Sequence, residues 1–270
     1  MDKTGLLFRF NAFHLRWSNA SLLVHRSFDG HIVSMQQSGS HWVKNMLSSI
    51  LIQRYNLPPL AHIQDDSVVG HTKSPPVYKN IPQIVHSHGF PHALTLKIPG
   101  LHFPKYLILV RDLREALISH YERFKGIHGL DFQTFLHGRQ RKTALYGDIW
   151  TRIRFFNEWG KILEANPDHA MLLHYEDCKR DAAKELRRIC TFFNITEVTD
   201  DMIAKAVADS APDKMAAKPN PAVQTTVVRT EQRRPVEAYF TPENQAFFDA
   251  TIRQYLKYDL GYGYKKPEGA

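Results

Sequence analysis

A chain of 270 residues, 43% of them hydrophobic, is long enough to bury a sizeable core, and its two cysteines, Cys178 and Cys190, suggest neither a disulfide framework nor a zinc site. Lysine and arginine outnumber aspartate and glutamate 35 to 27, and the formal charge of +8 favours an acidic partner such as nucleic acid, an anionic membrane surface or a highly charged small molecule. Fifteen scattered histidines form no H-E-x-x-H or comparable ligand pair, which argues against a catalytic metal, and the cysteine usage fits a reducing, cytoplasmic setting.

No stretch is long and apolar enough to span a bilayer, and arginines interrupt the apolar residues near the N-terminus too often for a signal-peptide core. Leu6, Phe10, Phe13 and Trp17 share one helical face there. Packing against its own domain, or a hairpin, is the expected use of that segment, with peripheral contact to a membrane or partner as the alternative. Residues 1–30 thus read as an N-terminal extension of a single domain spanning 1–270.

Residues 31–55 read as a strand, a loop and a helix in succession. A β-branched run ends at Met35, Ser38-Gly39-Ser40 makes a tight turn, and Trp42, Val43, Met46, Leu47, Ile50 and Leu51 have helical spacing. Such a turn aims backbone N–H groups and the positive end of a helix dipole at one spot, where a phosphate can sit. The G-x-x-x-x-G-K-[ST] spacing is absent, so ordinary ATP or GTP hydrolysis is not supported. A turn-rich stretch with Asp65-Asp66, Gly70, Pro75-Pro76 and Pro82 limits any long element before a second strand at 84–88, which leaves His88 at the junction of strand and loop. Tyr106-Leu107-Ile108-Leu109-Val110 is the clearest strand. Asp112 and Glu115 then have capping-box spacing, so a helix begins at Asp112 and Arg111 stands at its threshold.

Further helices are expected over about 148–164 and 182–193, with a short strand at 171–174 between them. Residues 208–238 are polar and proline-bearing and read as a mobile lid loop with little regular structure. Thr241-Pro242 opens a last helix running to Gly261. Strands alternating with helices imply an α/β domain with a central, mostly parallel sheet flanked by helices in three layers.

Four ordered stretches make the chain resemble the sulfotransferases that use 3′-phosphoadenosine 5′-phosphosulfate (PAPS) as donor. The family's K-S-G-T-T-W loop, which binds the 5′-phosphosulfate, appears as Gln37-Ser38-Gly39-Ser40-His41-Trp42. Arg111 and Ser119 have the spacing of the motif that binds the 3′-phosphate. Tyr175-Glu176-Asp177 resembles the family's Y-E-D, whose tyrosine lies near the adenine, and Arg229-Thr230-Glu231, eleven residues before Phe240-Thr241, resembles its R-K-G element. The resemblance implies a P-loop-like fold and transfer of a sulfuryl group to a hydroxyl acceptor by in-line displacement, with no metal. His86-Ser87-His88 stands where the family has K-T-H, so the resemblance implies that His88 is the catalytic base. The resemblance implies an acceptor that is a small-molecule, carbohydrate or lipid hydroxyl, not nucleic acid, and residues 60–80 and 122–147 are expected to line its side, with Phe124, Lys125, Phe132, Phe135, Arg139 and Arg141 among them.

Gln37 departs from the family's lysine. It can donate a hydrogen bond to the departing oxygen but brings no charge. Lys44, further along the helix, is a weak substitute, and His41, in place of a threonine, would serve as a protonated imidazole. Donor binding with weak or no catalysis is therefore the competing reading, and charge alone motivates a third, nucleic-acid binding. Plainer roles also stand open: turn formation for Ser38 and Gly39, an ion pair for Arg111, core packing for Tyr175 and Trp42, and a structural histidine at 88.

Overall fold

Along the run from Tyr106 to Val110, every second side chain faces the same way. Tyr106, Ile108 and Val110 enter one hydrophobic core, and Leu107 and Leu109 enter another. That period of two is what a strand buried on both faces requires. The structure, a computed structural model, describes residues 28–91, 102–142, 145–220 and 235–264. Five parallel strands form one sheet: β1 (Gly30–Ser34), β2 (Gly70–His71), β3 (Ile84–Ser87), β4 (Lys105–Val110) and β5 (Ala170–His174), in the order β2-β3-β1-β4-β5. Ile32 on the central strand faces His86 on one side and Leu107 on the other.

On one face pack α1 (Ser40–Tyr55), α6 (Ala182–Phe192) and α7 (Asp200–Asp209), which bury Val43, Leu47, Ile189 and Ile203 against Ile32, Leu107 and Leu173. The other face is covered by α2 (Leu113–His128), α3 (Phe132–His137), α4 (Ile149–Ala165) and α9 (Pro242–Tyr255), which bury Leu117, Phe156, Trp159 and Phe248 against Val33, Tyr106 and Ile108. Two short helices, α5 (Tyr175–Arg180) and α8 (Pro212–Ala216), complete the α-helices among the described residues. The chain is a three-layer α/β fold, as its alternation of strand and helix patterns predicts. Two caps sit where the sequence places them, Asp112 accepting from Glu115 N–H and Thr241 capping α9 with Pro242 at its first position; Asp148 and Asp181 cap α4 and α6 likewise, accepting from Thr151 and Lys184 N–H groups.

Three expectations need correction. The turn-rich stretch contributes a fifth strand, β2, whose two residues pair with Val85 and His86. Residues 208–220 are more regular than expected, because α7 extends to Asp209 and α8 follows at once. The last helix stops at Tyr255 rather than Gly261: Leu256 turns extended to bury its side chain, and Asn157 fastens the end by donating to Tyr255 O (2.9 Å) and accepting from Lys257 N (2.6 Å). The proposed N-terminal extension up to residue 27, Arg229 and the 221–234 part of the proposed lid lie outside the described residues.

From β1 the chain moves toward one edge of the sheet, and from its neighbour β4 toward the other. The crevice between the loops after these two strands is a topological switch point, where ligands bind in open α/β sheets.

Candidate functional site

The loop after β1 is built by backbone conformations that few residues tolerate. Gln37 and Gly39 both have positive φ, 65° and 84°, and Gly39 is the N-cap of α1. A Cβ on Gly39 would lie 2.7 Å from the Tyr175 ring, so glycine is required by both torsion and space. The turn presents the leading N–H groups of a 16-residue helix, whose first turn holds no acidic side chain to occupy them. Ser38 Oγ is buried and has no hydrogen-bond partner among the described residues, as a hydroxyl reserved for a ligand would be. Ser40 is the first helical residue, and Trp42 packs on the α1 side of the sheet.

The loops after β4 and β5 close on this turn. Arg111 Nη1 donates to Gln37 O (3.3 Å), and its guanidinium lies 4.6 Å from the centre of the Tyr175 ring, which Trp42 meets edge-on at 6.0 Å. Arg111 Nη2 also pairs with Glu115 Oε2 at 2.8 Å, so the plainer role for this arginine is realised alongside its place in the site; its buried Nε has no partner among the described residues. Ser119 is half-buried on α2, two helical turns beyond Arg111. Glu176 ties the two loops together by accepting from Asp112 N (3.0 Å) and the Tyr262 hydroxyl (2.7 Å), while Tyr264 donates to Asp112 Oδ2 (2.9 Å). Burial and these carboxylates push both phenols up, so they remain donors.

His88 follows β3 at the same edge. Its Nδ1 lies 2.8 Å from Ser34 O and 2.9 Å from Ser34 Oγ at the end of β1. A carbonyl oxygen only accepts, so Nδ1 carries the proton and Nε2 is the basic nitrogen. Burial lowers the pKa of the imidazole, and the Ser34 carbonyl opposes this only in part.

Beside it lies a buried polar cluster. The Lys44 ammonium is paired with Asp66, and His86 Nε2 is 3.4 Å from the same carboxylate oxygen. Lys44 is thus spoken for and does not supply the charge that Gln37 lacks. His71 meets His86 edge-on at 4.8 Å, and His41 meets His86 at 6.1 Å. Burial, then His86, Lys44 and His88, push His41 down to about 3, so it stands as a neutral imidazole and not as the cation expected from sequence.

Several contributors escaped the sequence reading. Arg152 is fully buried in α4 and donates to Gln36 O (2.9 Å), Ala116 O (2.9 Å) and Gly147 O (3.1 Å), which fixes the start of the loop against α2. Burial lowers its pKa to about 9. The Gln36 amide donates to the Tyr146 hydroxyl. Arg123 on α2 is close enough for its charge to depress both His41 and His88. Among the residues expected on the acceptor side, Phe132 and Phe135 instead belong to the core, while Arg139 and Arg141 are exposed.

Residues 29–259 match the sulfotransferase domain family. The human protein sulfotransferase 1C2 is 24% identical over 123 residues, which cover 43% of this chain and 38% of that protein. In fold, the chain is similar to mouse sulfotransferase SULT7A1 solved with PAP (TM-score 0.56, 20% identity, 89% of this chain and 88% of that one). It is also similar to retinol dehydratase solved with retinol and PAP (TM-score 0.56, 16% identity, 87% of this chain and 83% of that one).

Proposed function

The chain belongs to the sulfotransferase domain family, and from that premise we propose that it transfers a sulfuryl group from PAPS to a hydroxyl acceptor. One observation carries the reading: at a single switch point, a glycine-gated loop with an orphaned serine hydroxyl, an arginine stacked on a tyrosine, and a histidine held in its basic tautomer stand at the ends of adjacent strands. The residues fit the donor. Gln37, Ser38, Gly39, Ser40 and His41 would hold its 5′ end by backbone N–H groups and the Ser38 hydroxyl. Arg111 and Ser119 would hold the 3′-phosphate, Tyr175 and Trp42 would border the adenine, and Arg229 is assigned to the same phosphate by its motif.

PAPS supplies an activated sulfur on its 5′-phosphate. His88 accepts the acceptor's hydroxyl proton at Nε2 as the new oxygen–sulfur bond forms and the bond from sulfur to the 5′-phosphate oxygen breaks. Gln37 donates a hydrogen bond to that oxygen. The acceptor is a small-molecule, carbohydrate or lipid hydroxyl; the retinol held by one structural neighbour is a compound of that kind. Among the described residues, no helix is long and apolar enough to cross a membrane, and a cytoplasmic site of action is part of the proposal.

Gln37 favours a second reading, donor binding without turnover. The two separate when PAP release from PAPS is followed across an acceptor panel. Turnover in the wild type, lost by about 10²- to 10⁴-fold in His88→Ala with PAP affinity retained, supports transfer with His88 as base. Unchanged turnover removes His88 from that role, and PAP binding with no turnover on any acceptor supports the second reading.

A further inference from the structure

A donor with phosphates at both ends needs positive charge at both ends. Arg111 serves one end. At the other, Gln37 is neutral, and the Lys44 charge is cancelled by Asp66. Among the described residues, Arg152 spends its guanidinium on backbone carbonyls and Arg123 acts on His41 from α2, so the groups beside the turn itself are imidazoles. His41 is the second residue of α1, beside the turn, and His86 lies behind it on β3 with the rings edge to face at 6.1 Å. The Nδ1 atoms of both rings are buried and have no hydrogen-bond partner among the described residues. Two orphaned ring nitrogens behind an anion cradle are unusual, because buried polar atoms are ordinarily paired. Three imidazoles and a carboxylate invite a metal, but no group of three or more His, Cys, Asp or Glu among the described residues is placed to hold one.

We propose that binding of the donor's 5′ end is coupled to uptake of one proton by the His41–His86 pair, so that an imidazolium formed with the ligand stands where the loop lacks a lysine. The inference rests on the donor reading above. The groups facing the pair are Lys44 on α1, Asp66 before β2, His71 on β2, His88 after β3 and Arg123 on α2. In the free protein, burial, Lys44, Arg123 and the neighbouring imidazoles disfavour the proton, and Asp66 alone favours it. A dianion at the turn raises both pKa values, and uptake at pH 7.5 requires that rise to exceed the combined effect of burial and the opposing charges. The two rings share one proton because a second would repel the first. Charge is then created where the leaving group departs and is absent when the site is empty.

Calorimetric titration with PAP at pH 7.5, in buffers of different ionisation enthalpy, reads the proton count directly. PAP's phosphates, with second pKa values of about 6, can only release protons at that pH, so uptake belongs to the protein. Uptake of about one proton per site is expected, together with an affinity that falls about tenfold per pH unit above pH 7. His41→Gln and the His41→Gln, His86→Gln pair lose the uptake while still binding PAP, and His88→Gln retains it. PAP binding without proton uptake overturns this inference alone, as does full uptake in the double variant. Absence of PAP binding overturns the donor reading and the inference with it. Should the double variant not fold, the single variant decides: uptake in the wild type that His41→Gln loses supports the inference, and uptake that His41→Gln keeps in full overturns it.

Discussion

His88 shows how one backbone contact sets chemistry. The Ser34 carbonyl fixes the proton on Nδ1, which leaves Nε2 able to take another, and burial makes that nitrogen a weaker base than a solvated imidazole. The sign follows directly. A base must be unprotonated to act, and a lowered pKa keeps it so to lower pH. In the donor-free protein the His88 imidazole, followed by NMR, should therefore titrate below about 6.5. Titration at or above about 6.5 would contradict the effect of burial on this ring. At this scale much of the candidate site was legible: Arg111, Tyr175 and His88 each follow directly on a strand that apolar runs announce, and Gly39 opens the helix after another. Arg152 and Arg123 were not, because an arginine in an amphipathic helix looks the same in sequence whether it faces water or braces a loop.

The element that carries the site, the turn into α1, is supported from below by α1's own lysine. The Lys44 side chain is 1% exposed, and Asp66 is its counter-charge. Burial works against the Asp66 charge, but the His86 hydrogen bond and Lys44 outweigh it and hold the carboxyl at about 2. Its folded pKa lies below its unfolded one, so the stabilisation is complete above about pH 4 and lost as pH falls toward 2. Asp66→Asn leaves a buried ammonium unpaired and should destabilise the protein by about 3–5 kcal/mol in urea unfolding at pH 7. Combining it with Lys44→Met should recover most of that loss; a double variant no more stable than Asp66→Asn alone would show that the pair is not what Asp66 serves. The pairing had no sequence signature, since 22 residues separate the partners. β2 was illegible for a related reason: two residues cannot display alternation, and only pairing with β3 makes them a strand. The end of α9 was misplaced because Asn157, a distant side chain, captures the chain there.

At the scale of the molecule, sheet order brings the motifs together. The residues after β1, β4 and β5 are separated by more than 60 positions at each step, yet Gln37, Arg111 and Tyr175 lie within one cluster because β1, β4 and β5 are neighbours. The fold class was readable from buried strand runs alternating with capped helices. The order of the strands was not, because parallel strands of similar apolar content carry no mark of their neighbours. The central claim is that this switch point is a PAPS site, and calorimetric titration of the wild type and Arg111→Ala with PAP tests it most directly. One PAP per chain is predicted, bound about 10- to 100-fold more weakly in the variant, as loss of a charged phosphate contact requires. No binding by the wild type, or equal affinity in the two proteins, would contradict it.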